Sequence, residues 1–356
     1  SKTKYASNFK NYEMRSLKIF TVLHTSPHHA HYSGYSKFLS YIKDMSLVLP
    51  KAKAPYSFAK YYVSNFCKNI GSYDTNSFYK DIELIKQLFK INKNLSVVHY
   101  LNGERDIKLA INLFQNKKTK FIATFHKPPE VLQKQITNTK YVKKLDGAIA
   151  VGENQVSFLK NWLGINNVVY IPHGVDIDFF KPNFELRTIK KILLVGQHMR
   201  DFDTFNNVIA TLLEQDITIE VNVVLHEAYQ KKVIAHKNVN IHSGISDEEL
   251  KVFYQYSNVL FIPLTDVTAC NSVLEAMACG LPIVSTDVGG NSDYFKNTKN
   301  ILLEKNSTVE KYSEAIHQIM NDDLSLDISN SSRKKALEYA WHIIARRIND
   351  FYYSCL

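Results

Sequence analysis

Short apolar runs alternate with amphipathic segments along most of the chain. The runs that predict buried strands are 17–24, 96–100, 121–125, 145–151, 168–172, 191–196, 219–225, 239–243 and 259–263. The segments with apolar residues at helical spacing are 81–89, 154–163, 203–214 and 247–256, and another helix is expected to begin near Ser33 and Gly34. This alternation predicts parallel sheets covered by helices on both faces.

Two segments stand apart from this rhythm. The helix 247–256 has a clear start signal, because Ser246 is a good N-cap and Glu249 completes a capping box. Residues 51–70 have no clear period and are predicted to be irregular and aromatic. The 356 residues, of which 45% are apolar, suffice for two packed domains.

The segment 268–290 carries the most specific pattern. A helix with Leu274 and Met277 on its apolar face is predicted to end at Gly280, since Pro282 blocks its continuation. A short β-branched strand and a double-glycine loop follow. The polar loop before the helix leaves backbone N–H groups at the helix N-terminus, where the positive partial charge suits a phosphate.

This segment resembles the nucleotide-sugar site of the retaining family-four glycosyltransferases, which have the GT-B fold. The family has a Glu on a helix that ends with Ala-x-Ala-x-Gly-x-Pro. The matching residues are Glu275, Ala276, Ala278, Gly280 and Pro282. An ordinary helix–strand unit of a doubly wound domain is the alternative.

The first half of the family pattern is altered. The family has another Glu eight residues before the matching Glu, and that position is Val267 here. Asp266, one residue earlier, is the candidate to supply the missing carboxylate. The family's glycine-rich loop is replaced by Thr268–Asn271, a version that is similar to a subset of the family.

The resemblance implies an α/β protein with two Rossmann-like domains that face each other across a cleft. The expected boundaries are 1–175 for an acceptor-side domain, 176–338 for a nucleotide-sugar-binding domain and 339–356 for a C-terminal helix that packs back on the first domain. The segment 172–182 resembles the family's interdomain Pro-x-Gly-x-Asp-x-x-x-Phe, and 339–352 resembles its terminal helix.

Arg200 is the cation that the resemblance implies for the donor diphosphate. The family usually has an Arg and a Lys in this loop, but Gln197 replaces the Arg and the Lys is absent. A guanidinium there would stabilise the charge on the leaving diphosphate. The alternative is a surface arginine paired with Asp201 or Asp203.

The other donor-site residues are also implied by the resemblance. The full donor-binding set is Arg200, Gly244, Ile245, Thr268, Ala269, Asn271, Ser272, Val273 and Glu275. Gly244 and Ile245 are expected to contact the base through their backbone, unless Gly244 is a plain turn glycine. Glu275 is expected to bind the ribose. Asp266 or Asn271 is expected to contact the sugar.

The reacting centre is assigned by the same resemblance. His126 follows a predicted strand, where family members often have a histidine that faces the donor sugar and acceptor. We therefore predict His126 and Asp266 as the catalytic residues, with a structural histidine as the alternative. Gly34, His31 and Tyr35 are expected to line the acceptor side of the cleft.

The histidine content of one loop bears on whether the protein uses a metal. The loop 24–31 is rich in histidine, so a zinc site is an alternative there, although no cysteine partner or His-Glu-x-x-His spacing accompanies it. The resembling enzymes stabilise the leaving diphosphate without a divalent ion. We therefore expect no metal and no cofactor, with a nucleoside-diphosphate sugar as the donor substrate.

Charge is unevenly distributed along the chain. Residues 1–180 carry 26 Lys+Arg against 12 Asp+Glu, whereas residues 181–356 carry 18 against 22. A basic first domain favours an anionic partner, and the segment 51–68 mixes Lys with Tyr and Phe as lipid-headgroup interfaces do. The alternatives are a solvated loop, a Lys-rich proteome and nucleic acid. Nucleic acid is disfavoured because 24 of the 26 cations are Lys.

The compartment follows from absent signals. No window approaches the roughly 20 apolar residues of a membrane-spanning helix, and the basic N-terminal segment has no apolar region of a secretory signal. The four cysteines are scattered, which favours a reducing compartment. We expect a cytoplasmic protein, peripheral on the inner face of the plasma membrane.

The predicted function is retaining transfer of a sugar from a UDP- or GDP-linked donor to an acceptor hydroxyl. The basic first domain favours a glycan or lipid-linked acceptor, such as a lipopolysaccharide core or a glycolipid in bacterial surface polysaccharide assembly. Two alternatives stay open. One is a sugar-nucleotide 2-epimerase, and the other is a non-catalytic protein that binds sugar nucleotides or glycans.

Overall fold

Two parallel six-stranded sheets organise the computed structural model. The structure describes residues 17–23, 32, 34–51, 54–91, 94–115, 118–187, 190–321 and 324–356. Each sheet is covered by helices, as the alternation of apolar runs and amphipathic segments predicted.

The first sheet is built from the N-terminal half of the chain. Its strands are β1 (Lys18–Val22), β2 (Met45–Val48), β3 (Ser96–Tyr100), β4 (Thr119–Phe125), β5 (Gly147–Ala150) and β6 (Val168–Tyr170). The order is β2-β1-β3-β4-β5-β6, and all neighbours are parallel. The strand β3 is buried throughout, and Val97 and Val98 suit a strand that is covered on both faces.

Five α-helices are described in this half, and the sequence predicted neither the first, the third nor the fourth of them. They are α1 (Tyr56–Phe66), α2 (Thr75–Ile91), α3 (Leu109–Phe114), α4 (Pro129–Gln135) and α5 (Gln155–Leu163), with a 3-10 helix at Tyr35–Tyr41. The prediction that 51–70 is irregular was wrong, because α1 forms there. This helix has no side-chain cap and buries only Ala59, so its sequence lacks both a start signal and an apolar stripe.

The second sheet repeats the arrangement. Its strands are β7 (Lys191–Val195), β8 (Glu220–Val224), β9 (Val239–His242), β10 (Val259–Ile262), β11 (Ile283–Asp287) and β12 (Ile301–Glu304), in the order β12-β11-β10-β7-β8-β9. All neighbours are again parallel, so the loops that follow the strands gather at one edge.

Seven α-helices and two 3-10 helices, Phe184–Leu186 and Glu227–Lys232, are described in this half. The α-helices are α6 (Phe202–Gln215), α7 (Asp247–Tyr256), α8 (Asn271–Ala278), α9 (Asn291–Phe295), α10 (Val309–Asn321), α11 (Leu324–Glu338) and α12 (Trp341–Ser354). The predicted capping box of α7 is confirmed. Ser246 Oγ accepts from the N–H of Glu249 at 3.2 Å, and the Glu249 carboxylate accepts from the N–H of Ser246 at 2.8 Å.

The last helix, α12, returns to the first domain. Tyr352 OH lies 2.7 Å from Nδ1 of His99, and Asn167 Nδ2 donates to Cys355 Sγ at 3.0 Å. A Cβ on Gly147 would meet that sulfur at 3.0 Å, so β5 and α12 are in direct contact. The predicted α/β fold with a returning C-terminal helix is confirmed.

The domains also meet near the linker. Tyr32 stacks on Phe179 at 3.7 Å between ring centroids, and its N–H donates to Asp247 at 2.9 Å. Val175 bonds to Tyr339 through the backbone at 2.9 Å. Within the described ranges, no helix has the length and apolar character needed to cross a membrane.

Candidate active site

The N-terminus of α8 lies at the edge where the loops of the second sheet gather. Its N-cap is Cys270, which makes no side-chain capping hydrogen bond. The first N–H groups of a helix have no partner within the helix. The α8 N-terminus therefore combines unsatisfied donors with a positive partial charge, as an anion site requires.

The C-terminus of α8 confirms the predicted stop at Gly280. Gly280 has φ +64, its N–H donates to the carbonyl of Met277, and the N–H of Leu281 donates to that of Ala276. These bonds form a Schellman motif, which favours glycine at the left-handed position. The motif fixes the length of α8 and hence the position of its N-terminus.

Thr268 lies at the same edge of the second sheet, and its hydroxyl is buried. Its residue is only 4% exposed, and its Oγ1 has no hydrogen-bond partner within the described part of the chain. Leaving a buried hydroxyl unpaired costs about 1–3 kcal/mol. Such an atom two residues from the helix cap indicates that a ligand completes the site.

Glu275 lies one turn into α8, as predicted. It is buried, and its Oε2 accepts from Tyr254 OH at 2.9 Å. Burial raises the pKa of Tyr254, and the charge of Glu275 raises it further, so the phenol stays a donor. Gly34, Asn271 and Glu275 line one small cavity, which Trp341 closes. The structure thus joins an acceptor-side candidate to two donor-side candidates.

Arg200 is fixed by groups of its own loop and by α8. Its Nε and Nη2 donate to the carbonyl of Val195 at 3.1 and 2.7 Å, and Nη1 donates to the carbonyl of His198 at 2.7 Å. Nη2 also donates to Ser272 Oγ at 2.9 Å, on the first turn of α8. Within the described residues Arg200 forms no salt bridge, because Asp201 instead caps α6.

The surroundings of Arg200 are electropositive. Burial lowers the pKa of His198, and the charges of Arg200 and Lys127 lower it further. Lys127 belongs to the first domain, immediately after His126, and no motif in the sequence distinguishes it from the other lysines of that domain. Two cations from different domains therefore act on one point of the interdomain region, which suits a diphosphate.

Asp266 and its neighbours form a tight loop after β10. Asp266 Oδ1 accepts from the N–H of Val267 at 2.7 Å. A Cβ on Gly289 would lie 2.0 Å from the Val267 carbonyl oxygen and 2.6 Å from Asp266 Oδ1, so only glycine fits there, at φ +55. The Gly290 N–H donates to the same carbonyl at 2.8 Å. The double-glycine loop thus holds the candidate carboxylate in place.

Gly244 and Ile245 follow β9, at the far side of the same edge. Gly244 has φ +66 in open space, as a turn glycine does. The sheet order puts β9 three strands from β10. At ~4.8 Å per strand, this separation is about 14 Å, which a nucleoside diphosphate can span.

On the first-domain side, His126 is held at the end of β4. Glu104 Oε1 accepts from the N–H groups of His126 and Lys127 at 2.5 and 2.8 Å. Burial raises the pKa of Glu104. The imidazole contacts the Leu101 carbonyl through Nε2 at 2.7 Å and His173 Nε2 through Nδ1 at 3.0 Å.

His173 is the residue that sequence reasoning missed. It lies in the linker, and its Nδ1 is 3.0 Å from Asn271 Oδ1. The chain His126–His173–Asn271 therefore runs from the first domain through the linker to the first residue of α8. The only available signal was the imidazole inside the linker motif, because the contact depends on how the two domains meet.

Tyr35 packs beside His126 and His173. Its OH pairs with Thr124 Oγ1 at 3.0 Å, which in turn contacts His99 Nε2 at 2.8 Å. Its ring packs against His126 and His173 at centroid distances of 4.8 and 5.0 Å. Burial raises the pKa of Tyr35, so its hydroxyl stays protonated within the first domain.

The remaining predictions concern the loop 24–31. His31 and the other histidines of that loop lie outside the described residues. Among the residues that are described, no cluster of three His, Cys, Asp or Glu side chains is arranged to hold a metal ion. The candidates Ala269 and Val273 are placed beside the α8 N-terminus, with Val273 fully buried.

Residues 223–340 match the family model described as Glycosyl transferases group 1. The match covers about a third of the chain, and over that range the chain is similar to this family. The matched range includes α8 and every donor candidate except Arg200. This finding confirms the predicted resemblance for the part of the chain that carries the α8 site.

The individual relatives are distant and match only part of this chain. The D-inositol 3-phosphate glycosyltransferase of Corynebacterium aurimucosum is 20% identical over 215 residues, which cover 52% of this chain and 51% of that protein. A Campylobacter jejuni N,N'-diacetylbacillosaminyl-diphospho-undecaprenol alpha-1,3-N-acetylgalactosaminyltransferase is 35% identical over 82 residues, covering 23% and 22%. The chain thus spans about half the length of the first relative and less of the second.

A solved structure shares the fold over nearly all of this chain. The sucrose-phosphate synthase of Thermosynechococcus elongatus superimposes with a TM-score of 0.67 at 14% identity, covering 95% of this chain and 98% of that one. At this identity the likeness concerns the fold alone. With the two parallel sheets and the returning helix, it confirms the predicted GT-B fold.

Proposed function

We propose that this protein transfers a glycosyl group from a UDP- or GDP-linked sugar to an acceptor hydroxyl with retention of configuration. The observation that carries the proposal is the α8 N-terminus with the unpaired Thr268 hydroxyl, set opposite His126 through His173 and Asn271. An anion site on one domain thereby meets a polar group of the other, as transfer between two substrates requires.

The proposed donor site extends along the edge of the second sheet where its loops gather. The diphosphate binds at the α8 N-terminus, where Thr268 Oγ1 donates to it and the charges of Arg200 and Lys127 stabilise it. Glu275 accepts a hydroxyl of the ribose or sugar. The nucleoside then extends toward Gly244 and Ile245, whose backbone groups contact the base.

The transfer step is served by residues that the fold brings together. His126 faces the reacting hydroxyl, and Asp266 contacts the sugar. The cationic groups that surround the diphosphate supply the charge stabilisation that departure of the nucleotide requires, so the proposed reaction is metal-independent. Retention rests on the group 1 resemblance.

The acceptor is proposed to be a lipid-linked glycan at an anionic membrane surface. The side chains of Tyr56, Phe58, Tyr61 and Phe66 on α1 are each more than half exposed, and Lys60 is exposed among them. Exposed aromatics with interleaved Lys suit a headgroup interface. The Campylobacter relative, which its name connects with a diphospho-undecaprenol acceptor, supports the same class.

The first experiment is a thermal-shift titration with UDP-, GDP-, ADP- and CMP-sugars. We expect one nucleotide class to raise the melting temperature. The shift should be lost in Arg200→Ala, which removes the cation beside α8, and kept in Arg346→Ala, an exposed arginine on α12. A shift that survives Arg200→Ala unchanged would count against this donor site.

Turnover with candidate acceptors then separates the catalytic classes. A new sugar nucleotide formed from the donor alone would identify a 2-epimerase. Binding without turnover would favour a non-catalytic binder, a candidate supported by the buried Val267 where the family has a carboxylate. Transfer to an acceptor with the anomeric configuration retained would support the proposal.

A further inference from the structure

The linker residue His173 contacts one polar side chain from each domain. Its Nε2 lies 3.0 Å from His126 Nδ1, and its Nδ1 lies 3.0 Å from Asn271 Oδ1. We propose that His173 is a positioning residue that couples His126 on the acceptor side to Asn271 on the donor side. This inference rests on the proposed function for its catalytic consequence.

The chain of hydrogen bonds has a direction that elementary chemistry fixes. The Leu101 carbonyl only accepts, so His126 Nε2 carries a proton. In a neutral His126, Nδ1 is then unprotonated and accepts a hydrogen bond from His173 Nε2–H. In a neutral His173, Nδ1 is in turn unprotonated and accepts from the Asn271 amide nitrogen.

The alternative orientation of the amide carries a charge. When Asn271 presents Oδ1, His173 must donate from Nδ1, and the two imidazoles together then hold one additional proton. The orientation of the Asn271 amide and the charge of the histidine pair are therefore coupled. Because Asn271 also lines the cavity with Glu275, this coupling decides which amide atom is available on the donor side.

The backbone at His173 is held in place by contacts with neighbouring elements. Its N–H donates to Tyr294 OH at 3.1 Å, and Tyr294 donates to the Val151 carbonyl at 2.6 Å. A Cβ on the next residue, Gly174, would lie 2.4 Å from the Trp341 ring. The backbone of the linker at His173 is thus held between both domains and α12.

The polar surroundings of the pair come from several elements. The titratable and charged groups around it are Glu104, Lys127, Tyr35, Tyr294, His99 and Glu275. Glu104 is the carboxylate bonded to the backbone of His126, and Lys127 adds a positive charge beside it.

Two amide substitutions each keep one of the two side-chain hydrogen bonds of His173 and remove the other. In His173→Gln, the side-chain amide nitrogen takes the place of Nε2 and keeps the bond to His126. In His173→Asn, the shorter amide takes the place of Nδ1 and keeps the bond to Asn271. The nucleotide sugar that stabilises the wild type in the thermal-shift titration serves as the donor for both.

The expected kinetic result is a split between the two variants. His173→Gln should raise the donor KM by about fivefold and leave kcat nearly unchanged, whereas His173→Asn should lower kcat by about fivefold and leave the donor KM nearly unchanged. Equal losses in both constants, in proportion to a lowered melting temperature, would overturn the proposal and make His173 merely structural.

A second measurement does not depend on activity. In protein labelled with ¹⁵N-histidine, His126→Gln assigns the His126 resonances. The Nδ1 resonance of His126 should move in His173→Asn, which breaks its hydrogen bond, and stay in place in His173→Gln. An unmoved resonance in His173→Asn would overturn the proposal. If nucleotide sugars fail to bind at all, the proposed function fails. This measurement would still show whether His173 is hydrogen-bonded to His126.

Discussion

At the residue scale, Thr268 is the clearest sign of an incomplete site. Its buried hydroxyl has no partner among the described residues, whereas the guanidinium of Arg200 is already bound by two carbonyls and Ser272. The hydroxyl is therefore the group that gains most when a ligand arrives. The arginine contributes mainly through its fixed charge.

Thr268→Val tests this assignment because it removes only the hydroxyl. We expect the variant without ligand to be more stable by about 1 kcal/mol, since the unpaired buried hydroxyl is gone. The melting-temperature shift caused by the nucleotide should shrink. Both quantities come from one titration by differential scanning fluorimetry.

Thr211→Val on α6 is the matched control, because its hydroxyl bonds an exposed helix carbonyl. It should leave the nucleotide-induced shift unchanged. A Thr268→Val variant that binds nucleotide as the wild type does would remove Thr268 from the donor site.

At the element scale, α1 shows how exposure can matter more than packing. Only Ala59 of this helix is buried, and the helix has no side-chain cap. Four of its five aromatic residues are exposed, together with Lys60, whereas Tyr62 packs against Phe78. A helix with this surface is stabilised further by a partner that accepts aromatic rings and positive charge.

The prediction for α1 concerns membrane binding. Tyr61→Ser combined with Lys60→Glu should weaken flotation with vesicles that contain 30% phosphatidylserine, by about tenfold in partition coefficient, since both apolar area and a cation are lost. Lys305→Glu, an exposed position of the second domain, is the control and should float like the wild type. Equal flotation of all three proteins would exclude α1 as the membrane contact.

At the scale of the whole molecule, His99 joins β3 to the returning helix α12. Its ring bonds Tyr352 and Thr124, and burial lowers the pKa of His99 to about 3. The folded pKa is depressed below the unfolded value of about 6.5, so the folded state binds fewer protons. The resulting stability is complete above pH 6.5 and is lost as the pH falls toward 3.

The prediction is acid sensitivity of global unfolding. Between pH 7.5 and 5 the free energy of unfolding should fall by about 2 kcal/mol through His99 alone. In His99→Gln the protein should be less stable at pH 7.5, but this part of the pH dependence should disappear. Urea denaturation at each pH measures the effect.

His342→Gln is the control for that series, because His342 is exposed on α12. It should keep the wild-type pH dependence. If His99→Gln shows the same slope as the wild type, His99 is not the group responsible.

The regular elements were largely predictable because their signals are local. The helix α7 was predicted at its observed bounds from its capping box, and the end of α8 from Gly280 and Pro282. The irregular prediction for 51–70 failed for the opposite reason. There, helix formation depends on contacts of a few residues with the rest of the first domain.

Local signals in the sequence were sufficient to predict the α/β fold class and the helix that stops before Gly280, because apolar periodicity, capping and turn chemistry act over a few residues. It also indicated the family through a contiguous pattern around Glu275. Only the tertiary structure brought His173 between His126 and Asn271, left Thr268 unpaired and fixed Arg200 on Ser272. These contacts join residues up to 98 positions apart in sequence, and they exist only once two domains and their linker have packed together.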